Sequence, residues 1–184
     1  RKIVKGESQM CQEYSFLFEH NREVYGQLEN YLSVDNNAIV VLGTGIGKTT
    51  TALEYLNNHQ VRGLVICPQN AIRADWDKVD EYVDTITYSK FAKVYQDIDY
   101  SNYGAVICDE VHHVGADKWG AGIKHIIDND LCKVIGLTAT PDRTDKIDIV
   151  NNVFSGNICQ GLDMLAGIKE GIVHPFTYVG AYYD

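Results

Sequence analysis

A glycine-rich segment followed by Lys and Thr is the first part of the sequence with recognisable chemistry. Residues 43–49 read Gly-Thr-Gly-Ile-Gly-Lys-Thr and lie between an apolar run and a helical pattern. Glycines allow positive φ angles and bring backbone N–H groups close to phosphate oxygens, and the following helix adds its positive N-terminal end. The segment therefore predicts a nucleoside triphosphate site, although Leu42 stands where the strict pattern has Gly.

Lys48 is expected to reach the β- and γ-phosphates, and the Thr49 hydroxyl is expected to ligate Mg²⁺. The residues predicted to bind the nucleotide in this segment are Gly43, Thr44, Gly45, Ile46, Gly47, Lys48, Thr49 and Thr50. The alternative is a glycine-rich turn that binds nothing. The agreement of strand, loop, Lys-Thr pair and helix favours the phosphate loop.

Two adjacent carboxylates follow a second apolar run. Asp109 and Glu110 come directly after residues 105–108, which read Ala-Val-Ile-Cys. One carboxylate can hold magnesium while the other orients and deprotonates a water molecule, so Asp109 is the predicted metal ligand and Glu110, with Lys48, a predicted catalytic residue. A surface Asp-Glu pair is the alternative, and the phosphate loop favours the catalytic interpretation. The adjacent His112 and His113 are poorly spaced to hold one metal ion.

The elements that must position these residues alternate between apolar and helical patterns. Such alternation predicts an α/β fold with a mostly parallel sheet between two helical layers, and ligands bind such sheets at the carboxyl ends of the strands. The predicted strands are residues 38–42, 63–67, 105–108 and 133–137, with a weaker candidate at 84–88. The predicted helices are residues 48–59, 69–82, 117–129 and 162–170, with one or two more within 13–32 and an extended run at 176–183.

Composition bounds the remaining possibilities. A chain of 184 residues with 45% hydrophobic and 22% charged residues is typical of one globular domain. We divide it into an N-terminal helical segment, residues 1–35, and an ATP-binding domain, residues 36–184. Five scattered cysteines favour free thiols in a reducing cytoplasm over a zinc site, and no apolar run predicts a membrane helix. Because the chain begins with Arg1 rather than Met, we expect a fragment or a processed product.

A third segment completes a recognisable series. Residues 136–145 read Gly-Leu-Thr-Ala-Thr-Pro-Asp-Arg-Thr-Asp. Together with residues 43–49 and the Asp-Glu-Val-His-His of residues 109–113, this series resembles the first RecA-like domain of a superfamily 2 helicase of the DEAD/DEAH-box type. The nearest branch is that of the motor subunits of type I and type III restriction enzymes. The resemblance extends from about Arg22 to the end and implies a three-layer αβα P-loop NTPase domain that uses ATP and Mg²⁺.

The resemblance also implies roles for residues that their local pattern does not identify. Residues 64–76 match the family's second motif and residues 87–89 a later one, both of which contact the nucleic-acid backbone. Gln27, displaced from the family's Tyr-Gln pair, is implied to contact adenine. The residues implied to couple hydrolysis to movement are His112, Thr138 and Thr140. The residues implied to contact nucleic acid are Pro68, Gln69, Asn70 and Thr87.

The implied function is that of an ATP-dependent helicase or translocase, with DNA favoured over RNA. The family's second RecA-like domain, implied to follow in the same polypeptide, supplies arginines worth about 10³- to 10⁵-fold in rate, so we expect the fragment alone to be weakly active. The net charge of −9 counts against binding nucleic acid through bulk electrostatics. Three alternatives are an RNA helicase, a switch-type NTPase with a protein partner, and a domain that holds nucleotide structurally. Thr138 and Thr140 disfavour the switch, and Glu110 disfavours the structural site.

Overall fold

A central sheet of six parallel strands organises the chain. The computed structural model describes residues 16–68, 76, 81–111, 116–139 and 149–174. Within these ranges the strands are β1 (Asn37–Val41), β2 (Gly63–Cys67), β3 (Val83–Thr87), β4 (Ala105–Cys108), β5 (Lys133–Thr138) and β6 (Ile158–Gln160). Their order across the sheet is β3-β2-β4-β5-β1-β6, and every pair is parallel. All carboxyl ends therefore meet at one rim of the sheet.

Helices cover both faces of the sheet and give the predicted three layers. The described helices are α1 (Arg22–Val34), α2 (Lys48–His59), α3 (Tyr88–Val94), α4 (Ala116–Asp128), α5 (Ile149–Val153) and α6 (Met164–Lys169), with 3-10 turns at Glu19–Asn21 and Tyr100–Asn102. One core joins α1 and α2 to one face of the sheet, and a second core joins α3, α4 and α5 to the other. None of the described helices combines the length and apolar character needed to cross a membrane.

Continuous apolar runs explain the central strands. Every residue of β1, β2 and β4 is buried, as expected for strands covered on both faces. The carboxyl ends of β1 and β4 are aligned through β5, because Val41 of β1 pairs with Thr138 and Cys108 of β4 pairs with Gly136. Four described cysteines, at positions 67, 108, 132 and 159, are free thiols.

Three of the described strands and α-helices, β6, α3 and α5, are absent from the sequence prediction. Strand β6 has three residues, of which only Cys159 is buried, so no apolar run predicts it. It forms because it pairs with β1. Helix α3 begins at Tyr88, since the Thr87 hydroxyl accepts a hydrogen bond from the Lys90 N–H at 3.4 Å and caps its first turn. The weaker predicted strand therefore ends one residue earlier than expected.

The predicted N-terminal helix is observed as a 3-10 turn followed by α1, which packs against β1 and β6. The predicted helix 162–170 is observed as Met164–Lys169. Of the predicted helix 69–82, residues 76, 81 and 82 are described, and the extended run 176–183 lies outside the described residues.

Candidate nucleotide-binding site

The glycine-rich loop connects β1 to α2 at the carboxyl rim. Gly47 is the residue before α2 and has a φ of 110°, which L-residues rarely adopt. A Cβ at this position would also lie 2.7 Å from the side chains of Asn21 and Phe18. Gly47 is therefore required by its backbone conformation and by the closeness of the N-terminal segment.

Lys48 and the acidic pair, sixty-odd residues apart in sequence, converge at this rim. Because β5 lies between β1 and β4, the loop and the acidic pair are two strand spacings apart, about 10 Å. The long Lys48 side chain crosses part of that distance. Its Nζ lies 3.6 Å from Oε1 of Glu110 and donates to the Leu42 carbonyl at 3.3 Å.

A cleft of about 330 Å³ opens between the loop and the acidic pair. Its volume falls in the range of small-molecule sites, about 300–1,000 Å³. It is lined by Gly45, Gly47, Lys48, Thr49, Thr50, Asp109 and Glu110. Because Thr49 offers a hydroxyl and Asp109 and Glu110 offer carboxylates, the lining has the oxygen donors that Mg²⁺ prefers beside a cationic lysine suited to phosphate. These residues fit a magnesium nucleotide.

Asp109 is nearly buried and has a specific partner. Its Oδ2 accepts a hydrogen bond of 2.8 Å from the indole N–H of Trp76, which is only 1% exposed. Burial raises the pKa of Asp109 above its usual value, and the charge of Glu110 adds to the rise. The Trp76 hydrogen bond and the Lys48 charge act in the opposite direction. The carboxylate is thus held in one orientation in a place where a cation would favour its ionised form.

Two contacts hold the Asp109 backbone. Its N–H donates to the Ile66 carbonyl of β2 at 2.9 Å, and the Tyr88 hydroxyl donates to its carbonyl at 3.1 Å. Burial raises the pKa of Tyr88 well above its usual value, so this hydroxyl stays protonated and remains a donor. The acidic pair is therefore attached to β2 and α3 as well as to its own strand.

Glu110 has a left-handed backbone with a φ of 50°. This conformation costs a residue with a side chain roughly 1–2 kcal/mol. Strained residues of this kind cluster at functional sites, where the surrounding structure maintains them. Here the turn places the Glu110 carboxylate beside Lys48.

The remaining predicted site residues have varied positions. Thr138 ends β5 with 1% exposure, and its carbonyl accepts from the Leu42 N–H at 3.1 Å, so it lies beside the loop. Gly43 and Thr44 belong to the loop without lining the cleft, and the side chain of Ile46 is fully buried.

The predicted nucleic-acid contacts are only partly described. Pro68 and Thr87 are half-buried where β2 and β3 end. The predicted residues outside the described ranges are Gln69, Asn70, His112 and Thr140.

Gln27 does not line the cleft. Its side-chain oxygen accepts a hydrogen bond from the Gln160 N–H at 3.2 Å, which connects α1 to the end of β6. The side chain therefore has a structural partner, and its implied contact with adenine stays a prediction.

Sequence reasoning missed a group of N-terminal residues beside the loop. The side chains of His20 and Asn21 both contact the Ile46 carbonyl, at 2.9 and 2.8 Å. Asn directly before a helix usually signals an N-cap, yet Asn21 makes no capping hydrogen bond with its side chain. No local pattern would have revealed these contacts, since the residues that they join are 25 and 26 positions apart.

Comparison with known proteins finds similarity to a restriction-enzyme family, to a translocase and to helicases. Residues 78–143 match the family model described as the type III restriction enzyme res subunit. The chain is similar to the DNA 3′-5′ translocase XPB2 of Sulfurisphaera tokodaii, with 27% identity over 129 residues that cover 60% of this chain and 28% of the relative. It is also similar to QP509L of African swine fever virus, named for ATP-dependent RNA helicase activity, with 27% identity covering 75% and 32% of the two chains.

A solved structure shares the fold. It is a hypothetical ATP-dependent RNA helicase from Sulfolobus tokodaii, with 20% sequence identity and a TM-score of 0.52. The match covers 78% of this chain and 53% of that one. The chain thus spans about a third of the curated relatives and about half of the solved structure.

Proposed function

We propose that this chain is a first RecA-like domain of the superfamily 2 helicases, and that it binds magnesium ATP as half of a motor that moves on nucleic acid. The observation that carries the proposal is the convergence of Lys48 and Glu110, 3.6 Å apart, at one cleft. A domain that merely held nucleotide would not need a carboxylate facing the lysine of its phosphate loop.

Each side chain has a distinct part in the proposed reaction. Lys48 would bind the β- and γ-phosphates, while Thr49 and Asp109 would hold the metal ion. Bound Mg²⁺ would neutralise phosphate charge. Glu110 orients a water molecule and accepts its proton on the carboxylate as that water attacks the γ-phosphorus, the bond from this phosphorus to the bridging oxygen breaks and ADP leaves. Thr138 ends β5 beside the loop, and its proposed part is to couple hydrolysis to movement.

The proposed polymer is DNA, contacted by Pro68 and Thr87, which lie where β2 and β3 end, and by Gln69 and Asn70. Support comes from the similarity to XPB2, named as a DNA translocase, and from the restriction-enzyme family model. The similarity to QP509L supports RNA as the second candidate. A second RecA-like domain of the same polypeptide would complete the cleft and supply the arginines that a single half lacks.

The deciding experiment measures ATP hydrolysis by the full-length protein with no polymer, single-stranded DNA, double-stranded DNA or RNA. We expect DNA to stimulate the rate more than RNA does. Preferential stimulation by RNA would assign the motor to RNA instead. Hydrolysis that no polymer stimulates would contradict the motor function and favour a switch-type NTPase.

A further inference from the structure

Ile46 differs from its neighbours in the phosphate loop. Thr44 and Gly45 are exposed, whereas the Ile46 side chain has 0% exposure. A fully buried isoleucine directly after two exposed residues requires that other parts of the chain enclose it. Two segments, one from each end of the described chain, do so.

The N-terminal segment holds the backbone of Ile46. Its carbonyl is contacted by Nε2 of His20 at 2.9 Å and accepts from Nδ2 of Asn21 at 2.8 Å. Asn21 is itself 0% exposed, and its Oδ1 has no hydrogen-bond partner among the described residues. A buried, half-satisfied amide is costly, so its remaining bond to the loop matters to the fold. This contact holds the loop just before Gly47, where the chain turns into α2.

The C-terminal segment, residues 162–173, holds the side chain. Ile46 lies against Gly167 of α6 so closely that a Cβ at Gly167 would overlap Cδ1 of Ile46. Two further contacts join the same segment to the loop. The Gly43 N–H donates to the Leu162 carbonyl at 2.9 Å, and Val173 lies 3.7 Å from the position that a Cβ of Gly45 would take.

The end of α6 is closed around Gly167. The N–H groups of Ile172 and Val173 donate to the Gly167 carbonyl at 2.9 and 3.2 Å. Gly171, with a φ of 73°, makes the turn between α6 and Ile172. The Gly171 N–H donates to the Ile168 carbonyl at 3.1 Å, which completes a Schellman motif. Gly167 of α6 therefore contacts Ile46, and its carbonyl also accepts the hydrogen bonds that fix the path of the chain after α6.

We propose that Ile46 is a positioning residue clamped between residues 18–21 and residues 162–173, and that this clamp couples occupation of the phosphate loop to the conformation of the C-terminal segment. The inference rests on the proposed function, since it names how that nucleotide site communicates with the rest of the chain. Coupling of this kind is reciprocal: if nucleotide orders residues 162–173, then disturbing them weakens nucleotide binding.

The test uses Gly167→Ala, Ile46→Ala and the double variant in the 184-residue chain, with the dissociation constant of a fluorescent ATP analogue as the readout. Alanine suits a helix better than glycine, so helix propensity alone predicts no loss from Gly167→Ala. We expect its added methyl to displace Ile46 and weaken binding by about 10-fold, within the range usual for coupled sites. Shortening Ile46 makes room for that methyl, so the double variant should bind within about threefold of Ile46→Ala alone.

Gly26→Ala is the matched control. Gly26 is exposed within α1, and no described atom lies within 4 Å of the Cβ that would be added. The same substitution there should leave nucleotide affinity unchanged. A loss equal to that of Gly167→Ala would mean that the assay reports helix perturbation in general, and the clamp would be abandoned.

Equal affinity of Gly167→Ala and the wild-type chain would overturn the proposal, as would strictly additive losses in the double variant. Should Gly167→Ala fail to fold, hydrogen exchange on the wild-type chain decides. Nucleotide should then slow exchange of the Ile172 and Val173 amides, and unchanged exchange would refute the coupling. Failure of the proposed function would give a distinct result, because the wild-type chain itself would then not bind the fluorescent ATP analogue.

Discussion

At the scale of single residues, the candidate site brings opposite charges together while keeping most of them from solvent. Lys48 is 8% exposed and Asp109 is 6% exposed, and the lysine lies beside Glu110. Removing one member leaves the others buried without their counter-charge, which is usually costlier than the pair itself is favourable. Single substitutions here should therefore have large and distinguishable effects.

Lys48→Ala should weaken binding of ATP by about 10- to 100-fold, since a hydrogen bond to a charged group is worth about 1.5–3 kcal/mol. Titration calorimetry on the full-length protein measures the change. Lys124→Ala, which removes an exposed lysine of α4, is the control and should bind normally. Retained affinity in the Lys48 variant would remove this lysine from the phosphate site.

Glu110→Gln should bind ATP normally and turn over about 10²- to 10⁴-fold more slowly, because the amide keeps the shape of the side chain and cannot accept a proton. Steady-state hydrolysis, compared with nucleotide affinity in the same variant, separates the two effects. Hydrolysis at the wild-type rate would show that another group acts as the base.

Asp109→Asn should raise the stability of the metal-free chain at neutral pH. Burial raises the pKa of Asp109 when the chain is folded, so the folded state holds this proton more tightly than the unfolded state does. As pH rises above the ordinary carboxyl pKa toward the raised value, wild-type stability falls, whereas Asn does not titrate and can still accept from Trp76. Thermal melts in EDTA should show the variant's advantage increasing across that interval. An advantage that is constant with pH would contradict this account.

At the scale of elements, β5 pairs with β1 and β4 near the centre of the sheet and is packed closely by a residue that covers it. Gly136 lies in β5, and a Cβ there would come 2.6 Å from the ring of Phe154, which is 0% exposed. Glycine in a strand often marks such a close approach. Because β5 carries Thr138 to the rim, its placement affects the site as well as the core.

Gly136→Ala should destabilise the chain by about 1–3 kcal/mol, the usual cost of overpacking a core. For a chain of this size each kcal/mol lowers Tm by about 2–4 °C. Adding Phe154→Leu should recover part of the loss by making room for the methyl. Gly26→Ala, where space is open, should be neutral or slightly stabilising. A melting temperature unchanged by Gly136→Ala would show that Phe154 can move aside.

At the scale of the whole molecule, a parallel sheet assembles one site from distant parts of the chain. The loop after β1 and the acidic pair after β4 reach the same rim, and residues 20–21 and 162–173 contact the loop there. Because a nucleotide in this cleft would contact several segments at once, binding should stabilise the fold as a unit. The net charge of −9 also makes the cation important, since ATP is itself an anion.

Magnesium ATP at about 100 times its dissociation constant should stabilise the chain by about 2.7 kcal/mol. That corresponds to a rise in Tm of roughly 5–10 °C. Replacing Mg²⁺ with EDTA should remove most of the rise, and Lys48→Ala, which binds about 10- to 100-fold more weakly, should cut it by about half or more. An equal rise with EDTA present would contradict the role given to the metal ion.

The sequence by itself determined the layers and the rim at which chemistry could occur. Apolar runs such as 105–108 define buried parallel strands, and parallel strands must end at a common rim, so Lys48 and Asp109 could be expected to meet. Only the tertiary structure decided what surrounds them. Three hydrogen bonds join residues that are far apart in sequence. The residues are 33 positions apart for Trp76–Asp109, 25 for Asn21–Ile46 and 133 for Gln27–Gln160. Such contacts depend on how elements pack across the fold, and local periodicity reports only which face of an element is apolar.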